Sequence, residues 1–306
     1  MEDFRLARDL VGAGLTHGEL RSRVSDGRLQ RVRRGAYAPS VGDEVDPADA
    51  HRLLLAATLA QGHPGAVVSH GSAAVLHGLP APASALQRAH LTRGRAAGGQ
   101  RRRWVQVHVS RLGAADVVVL KGRCVTSLAR TVVDLACALP LRDAVAVGDA
   151  ALRLGAGRAE LAEVLERVGP RYRIASARHA IELLDARSES YGESVSRVLL
   201  IESGRAPEDL QLDVLDLTGD LAGRVDFAWP ALGVIGEFDG RVKYGRKLAP
   251  GQKPEKALWL EKVREDLLRD LGWQVVRWIW ADLDDPRAWF ARLERAFARG
   301  HDLRLP

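Results

Sequence analysis

Apolar residues recur at helical spacing through much of the chain, and the breaks fall at glycine and proline. Phe4, Leu6, Ala7, Leu10 and Val11 make one face of a predicted helix over residues 3–13, ended by Gly12 and Gly14. Thr16 and Glu19 have the spacing of a capping box, which predicts a second helix reaching about Ser25. From Leu29 to Pro39 the pattern changes to two short strand-like runs turning at Arg34-Gly35. Helices followed by a basic hairpin predict a winged helix-turn-helix over residues 1–42. A small basic helical cap on the rest of the protein is the competing reading of the same pattern.

Residues 43–170 alternate between helical and strand periods, predicting an α+β middle domain. Helices are expected at Asp49–Ala60, from Ser69 through Leu76, from Thr126 through Ala136, and onward to Val168. Strands are expected near Leu91, at Trp104–Val109 and at Val117–Leu120, and the basic, glycine-bearing stretch Arg93–Arg103 reads as an exposed loop. Residues 171–306 read as one α/β domain. Its helices are predicted at Ala175–Leu184, Ser190–Gly204, Lys256–Leu271 and about 285–299. Its strands are predicted at Leu212–Leu217, Val225–Trp229, Val234–Phe238 and Gln274–Trp280. The fold class is therefore mixed α/β (α+β).

Composition narrows the setting. The 306 residues are 46% hydrophobic and 27% charged, enough for two or three domains with real cores. The net charge of +6 is carried by arginine and suits an anionic partner such as nucleic acid. Arginine-rich balance is also common in high-GC genomes, so charge alone does not choose. Cys124 and Cys137 are spaced for no zinc motif and are expected in the core of a protein from a reducing compartment. No apolar run nears the roughly 18 residues of a membrane span, and the acidic start lacks an apolar signal region. The expectation is a cytoplasmic protein without membrane contact.

The candidate chemistry lies in a predicted hairpin, Arg224–Trp229 and Val234–Gly240, turning at Pro230-Ala231-Leu232-Gly233. A four-residue loop without a bulge places Asp226 opposite Glu237, side chains roughly 4.5–5.5 Å apart, with Asp239 on the same face. Val225, Phe227, Val234 and Phe238 then face the core. Like charges so close repel unless a cation lies between them, and carboxylates are suitable ligands for Mg²⁺ or Mn²⁺. Elsewhere, Arg21, Arg23 and Arg28 would form the recognition surface of the winged helix and Arg31, Arg33 and Arg34 its wing, mainly as phosphate contacts. His70 and His77, seven residues apart, have no evident third ligand and read as core or surface histidines.

Over about residues 190–285, the order Val225-Asp226-Phe227, Glu237-Phe238-Asp239-Gly240, Glu261, Arg264 and Gly272–Trp278 resembles very-short-patch-repair-like endonuclease domains of the P-D-(D/E)-x-K superfamily. Leu29–Pro39, Val68-Ser69-His70 and Thr126–Thr131 resemble the winged-helix and adjoining segments of abortive-infection type IV antitoxins. The first resemblance implies a restriction-endonuclease-like mixed sheet flanked by helices. In it Asp226 and Glu237, with Asp239 as a further candidate, would bind Mg²⁺ or Mn²⁺. Lys243 would stabilise charge on phosphorus, and Glu193 would add a metal or outer contact. The second implies DNA binding and a toxin or phage-defence partner.

The chain departs from the superfamily pattern at Asp239, which stands where a lysine is usual two residues after the second acid. Lys243 or Lys262 would then have to bring the positive charge. Each residue has a plainer reading as well. Asp226 fits an edge carboxylate, Glu193 fits a capping box with Ser190, and Asp239 fits a pair with Arg224. Lys243 sits in a basic loop with Arg241, Arg246 and Lys247. Two functions fit these residues: a metal-dependent DNA endonuclease or nickase, or an antitoxin-type DNA-binding regulator whose nuclease-like domain is inactive. The sequence does not separate DNA from RNA as the substrate.

Overall fold

Thr16 fixes the start of the second helix. Its Oγ1 accepts the Glu19 N–H at 3.2 Å, and the Glu19 carboxylate accepts the Thr16 N–H at 2.7 Å, the reciprocal capping box its spacing requires. The computed structural model describes residues 4–40, 42, 45–94, 98–240 and 254–302. A two-residue strand β1 (Arg5–Leu6) precedes the helix α1 (Ala7–Gly12), shortening the helix expected from residue 3. Helix α2 (His17–Ser25) comes next, then a hairpin of β2 (Leu29–Arg33) and β3 (Ala36–Pro39). Gly35, at φ 78, supplies the left-handed backbone of its turn. The three strands form an antiparallel sheet in the order β1-β3-β2.

The chain continues through α3 (Pro47–Leu59), β4 (Val67–Val68), α4 (His70–His77), α5 (Ala83–Leu86), β5 (Ala89–Arg93), β6 (Gln100–Arg101), β7 (Val105–Val109), β8 (Val117–Leu120) and β9 (Arg123–Thr126). The six strands make a mixed sheet in the order β6-β7-β5-β4-β9-β8. Leu55, Val68, Leu91, Val107 and Val125 are among its buried core. The expected loop over Arg93–Arg103 contains β6, which pairs with β7. Helices α6 (Leu128–Ala136), α7 (Leu141–Arg153), α8 (Arg158–Val168) and α9 (Ile174–Glu182) complete this unit. Helix α6 buries Arg130 and Asp134 as an ion pair at 3.0 Å, extended by Asp116 and Arg171. Cys124 is exposed and Cys137 only half-buried, contrary to the expectation of core thiols.

Two compact units result, Met1–Glu182 and Leu183–Pro306, where the sequence suggested boundaries after residues 42 and 170. Leu6 and Ala36 share a core cluster with Ala57, which ties the N-terminal segment to α3. Helix α9 packs on α6, α7 and α8 and belongs with the first unit. Among the described residues no helix is long and apolar enough to cross a membrane.

The second unit contains α10 (Tyr191–Glu202), β10 (Asp209–Leu215), β11 (Leu221–Trp229), β12 (Val234–Phe238), α11 (Pro254–Asp270), β13 (Gln274–Trp278), α12 (Trp280–Asp284) and α13 (Arg287–Asp302). Its sheet has the order β10-β11-β12-β13, antiparallel except for the parallel pair β12-β13. The last strand stops at Trp278, earlier than its pattern suggested, because Asp282 accepts the Ile279 N–H and opens α12. One cluster of the core joins Val214, Val225, Ala228 and Ile235 to Leu268 of α11. Aromatic rings build another, with Phe227 5.2 Å from Trp278 and Trp278 stacked on Trp289 at 4.5 Å. Trp229 is buried too, whereas Trp259 and Trp280 are exposed.

Helix α10 approaches β12 at Gly192, where a Cβ would stand 1.9 Å from Phe238 Cε1. Only a residue without a side chain permits this approach. Gly192→Ala is expected to lower stability by about 1–3 kcal/mol, the range typical of overpacking, and Phe238→Leu in the same chain should recover part of it. Urea unfolding checks this. An unchanged midpoint for Gly192→Ala would contradict the packing described.

Candidate functional site

Four strands place one polar residue each in a row across the second sheet. The β11–β12 ladder sets Phe227 opposite Gly236, Ala228 opposite Ile235 and Trp229 opposite Val234. The ladder ends there, one step short of the Asp226–Glu237 pair expected from the Pro230–Gly233 turn, and these are the next residues of the two strands. Leu210 opposite Phe227 and Leu212 opposite Val225 bracket Gln211 across from Asp226. On the other side Glu237 is the parallel partner of Arg277. The row is Gln211, Asp226, Glu237, Arg277.

The side chains of the two acids turn to different partners. Asp226 Oδ2 accepts the Phe238 N–H at 2.8 Å, and its Oδ1 accepts from Gln211 Nε2 at 3.4 Å. The same Gln211 amide donates to Glu193 Oε2 at 2.9 Å, so one amide joins the two carboxylates. Gln211 does this from a left-handed backbone, φ 54, uncommon for a non-glycine residue. Ser190 caps α10 by accepting the Glu193 N–H at 3.1 Å, while the Glu193 carboxylate accepts the Glu189 N–H at 2.7 Å. Glu193 thus serves the helix start and reaches the acid cluster.

Glu237 is 8% exposed, and both its oxygens are held by arginine: Oε1 by Arg264 Nη2 and Oε2 by Arg277 Nη2, each at 2.6 Å. Glu261 on α11 pairs with the same two arginines. Asp226 has no arginine or lysine partner among the described residues. Burial, followed by the nearby Glu193 charge, pushes its carboxyl up to about 7, against the lowering effect of the Phe238 N–H. Val225 packs with Ala228 in one cluster while Phe227 goes to Trp278, so the simple alternation expected of this strand is interrupted beside Asp226.

Asp239 is half-buried and extends the contact with β13 through its N–H to Trp278 O at 2.8 Å. Arg224 pairs with Asp213 at 3.0 Å. Lys243, with Arg241, Arg246 and Lys247, lies outside the described residues, and Lys262 is exposed on α11. Sequence reasoning missed Gln211 and Arg277 and gave Arg264 no role at the acids. The parallel pairing of β13 with β12 brings Arg277 to Glu237, and that pairing has no local signature. Among the described residues, three metal-binding side chains come within 4.8 Å of one another only at His70, His90 and His108. The carboxylates form pairs rather than such a triad.

In the N-terminal segment Arg21, Arg23, Arg28, Arg31 and Arg34 are exposed, with Arg28 held by Asp26 at 2.8 Å. Arg33 departs from the expected wing position. It is half-buried, burial lowers its pKa, and its Nε and Nη1 find no hydrogen-bond partner among the described residues.

No family model matches the chain. Two uncharacterized proteins of Mycobacterium tuberculosis, MT2308 of strain CDC 1551 / Oshkosh and Rv2248 of strain H37Rv, are each 29% identical over 289 residues, covering 94% of this chain and 98% of theirs. Among solved structures, the RV2827C protein of Mycobacterium tuberculosis has a TM-score of 0.37 at 18% identity, covering 68% of this chain and 78% of that one. A likeness that low carries no argument.

The raised Asp226 carboxyl has a definite consequence for stability. Below about pH 4 the group is protonated in both folded and unfolded chains and contributes nothing. Between about 4 and 7 the folded chain keeps a proton that the unfolded chain releases, so this contribution to stability falls as pH rises. Asp226→Asn removes the dependence. The variant is expected to be more stable than the parent above pH 7, by a few kcal/mol, with the difference vanishing near pH 4. Urea unfolding across that range measures it, and a gap that does not change with pH would contradict the environment assigned to Asp226.

Proposed function

We propose that the second unit is a metal-dependent endonuclease or nickase domain acting on DNA phosphodiester bonds. The observation that carries this reading is the contrast between its two acids. Glu237 is compensated by two arginines. Asp226 is a half-buried carboxylate that meets a second carboxylate, Glu193, through a shared amide and has no cation partner among the described residues. The donors are hard carboxylate oxygens, which suit Mg²⁺ or Mn²⁺. Mg²⁺ commonly keeps several waters and takes only one or two protein carboxylates, so a pair of acids suffices.

Asp226 would be the anchoring ligand, with Glu237 and Asp239 as the other candidates. A bound Mg²⁺ or Mn²⁺ would supply Lewis-acid polarisation of a phosphate oxygen and a more acidic water. Gln211 fixes the Asp226 carboxylate, and the Phe238 N–H holds its second oxygen. Arg264 and Arg277 place positive charge beside Glu237, a role the superfamily resemblance gives to the lysine that Asp239 replaces. Lys243 remains a candidate for the same role. The strand pair, long helix and closing strand named by that resemblance lie in one four-stranded sheet with α11, which supports the reading. The exposed arginines of α2 and the hairpin support DNA as the partner, and a cytoplasmic location fits such a function.

Incubation of the purified chain with supercoiled plasmid and Mg²⁺ or Mn²⁺ tests this. Nicked or linear product is expected, blocked by chelator and lowered by more than about 100-fold in Asp226→Ala and in Glu237→Ala. Absence of cleavage, or cleavage unchanged in both variants, would sink the proposal.

A second reading rests on the pairing of both Glu237 oxygens and on Asp239 at the lysine position. In it the chain is an antitoxin-type DNA-binding regulator with an inactive nuclease-like domain, acting beside a toxin or phage-defence partner. It predicts metal-independent DNA binding that weakens steeply with salt. Arg31→Ala and Arg34→Ala should each reduce the log–log salt slope by about 1. Binding indifferent to salt would count against it.

A further inference from the structure

The first unit gathers three histidines that are distant in the chain. His70 opens α4, His90 lies in β5 and His108 in β7. Strands β5 and β7 pair in parallel, with His90 opposite Gln106 and Thr92 opposite His108. Both histidines therefore stand on one face of the sheet, displaced by two residues. His90 Nδ1 lies 3.0 Å from His108 Nε2. The His70 ring stacks on His108 at 3.6 Å between centroids and stands 5.8 Å from His90. One ring nitrogen of each residue lies within 4.8 Å of the other two.

Local structure holds the rings in place. His70 has φ 50, an uncommon backbone for a non-glycine residue. The next residue, Gly71, is pressed so close to α5 that a Cβ would stand 2.2 Å from Ala85 O. Ser69 Oγ meets His70 Nδ1 at 3.0 Å and receives the Thr92 hydroxyl at 2.8 Å, leaving Nε2 of His70 to face elsewhere. This is the kind of outer contact that fixes a ligand histidine's tautomer and ring plane. The His90 N–H is anchored on Ser72 Oγ at 2.8 Å, and Ser72 is in turn bound by the buried His51.

Packing alone gives a poorer account of the cluster. A proton shared between His90 and His108 satisfies one pair of ring nitrogens and does nothing for the third ring. A metal ion takes a lone pair from each. With Zn–N bonds of about 2.0–2.1 Å, the edge of a tetrahedron is about 3.3 Å, near the spacing of the His90 and His108 nitrogens. The cofacial His70 and His108 rings must tilt on loading, because a metal lies in the plane of each ring that binds it. Imidazole donors favour Zn²⁺ and its transition-metal neighbours over Mg²⁺.

The geometry points to a Zn²⁺-class metal site formed by His70, His90 and His108, with a fourth position left for an exogenous ligand. Three protein ligands and one open position are the pattern of reactive rather than purely structural zinc sites. Ser110, two residues beyond His108, receives hydrogen bonds from Arg130 at 2.7 Å and Arg171 at 3.0 Å, which places two guanidinium groups close by. Both are already paired with Asp134, so they brace the strand end beside His108 and set no charge preference for the open position. The site uses none of the second unit's acids, so it stands or falls independently of the nuclease reading.

The test uses the full chain stripped with chelator and titrated with Co²⁺, followed by Zn²⁺ competition. One equivalent is expected to develop the strong visible absorption of four-coordinate Co²⁺, which an oxygen-donor six-coordinate site does not give, and this absorption is the readout of binding. His90→Gln and His108→Gln should each weaken binding by more than about 100-fold, since losing a ligand exceeds the loss of an outer contact. Asp226→Asn combined with Glu237→Gln should leave it unchanged. Circular dichroism checks that the variants fold. X-ray absorption on the Zn²⁺-loaded parent chain avoids that dependence and should show three imidazoles at about 2.0–2.1 Å. Binding below one equivalent, fewer than three imidazoles, or parent-like affinity in both histidine variants would overturn the proposal.

Discussion

Burial of Glu237 in the middle of a sheet is the constraint on which the second unit depends. An ionised carboxylate taken out of water costs several kcal/mol unless it is paired and hydrogen-bonded. Arg277 comes to it from the adjacent parallel strand and Arg264 from the helix above, and Glu261 balances both. The same helix buries Leu268 against Val225, Ala228 and Ile235. Ion network and apolar contact thus fix α11 over the sheet together. Removing either arginine leaves a buried charge with half its compensation, whereas Asp226 begins without any among the described residues.

That asymmetry separates a compensated acid from an uncompensated one. Glu237 has its charge satisfied by the fold. Asp226 is held by a backbone N–H and an amide, groups that orient a carboxylate without neutralising it, and it faces Glu193. Arg130 in the first unit follows the Glu237 pattern, closed by Asp116 and Asp134. The three histidines follow the Asp226 pattern, with ring nitrogens converging and no carboxylate hydrogen-bonded to them among the described residues. Hard oxygen donors in one unit and imidazole donors in the other would select different cations.

Much of this was legible in local sequence. Thr16 and Ser190 mark helix starts, and the Pro230–Gly233 turn joins β11 and β12 in the register that brings Phe227 opposite Gly236. Glu193 was a candidate only through the nuclease resemblance, and its place three residues after Ser190 gave it the plainer reading as a cap, which the Glu193 N–H to Ser190 Oγ bond fits. Local pattern could not supply the pairing between distant strands. Gln211 reaches Asp226 through the β10–β11 register and an unusual backbone angle, and Arg277 reaches Glu237 through a parallel crossover. The histidine cluster was missed for the same reason. A search along the helix from His70 leads to His77, whose ring bonds Thr126 O at 2.8 Å, while the true neighbours lie on two strands. Arg33 is half-buried beside a register shift between Arg31 and Arg33 in the β2–β3 ladder, which a basic hairpin sequence does not reveal.

Asp226 is thus the uncompensated acid around which a hard divalent cation is proposed to bind. Crystals of the chain soaked in Mn²⁺ and measured for anomalous scattering test this most directly. The account predicts a peak within coordination distance of the Asp226 carboxylate, about 2.0–2.3 Å away, with Glu237 or Asp239 as a second ligand. A peak only at the histidine cluster, or none near Asp226 at saturating Mn²⁺, would contradict it.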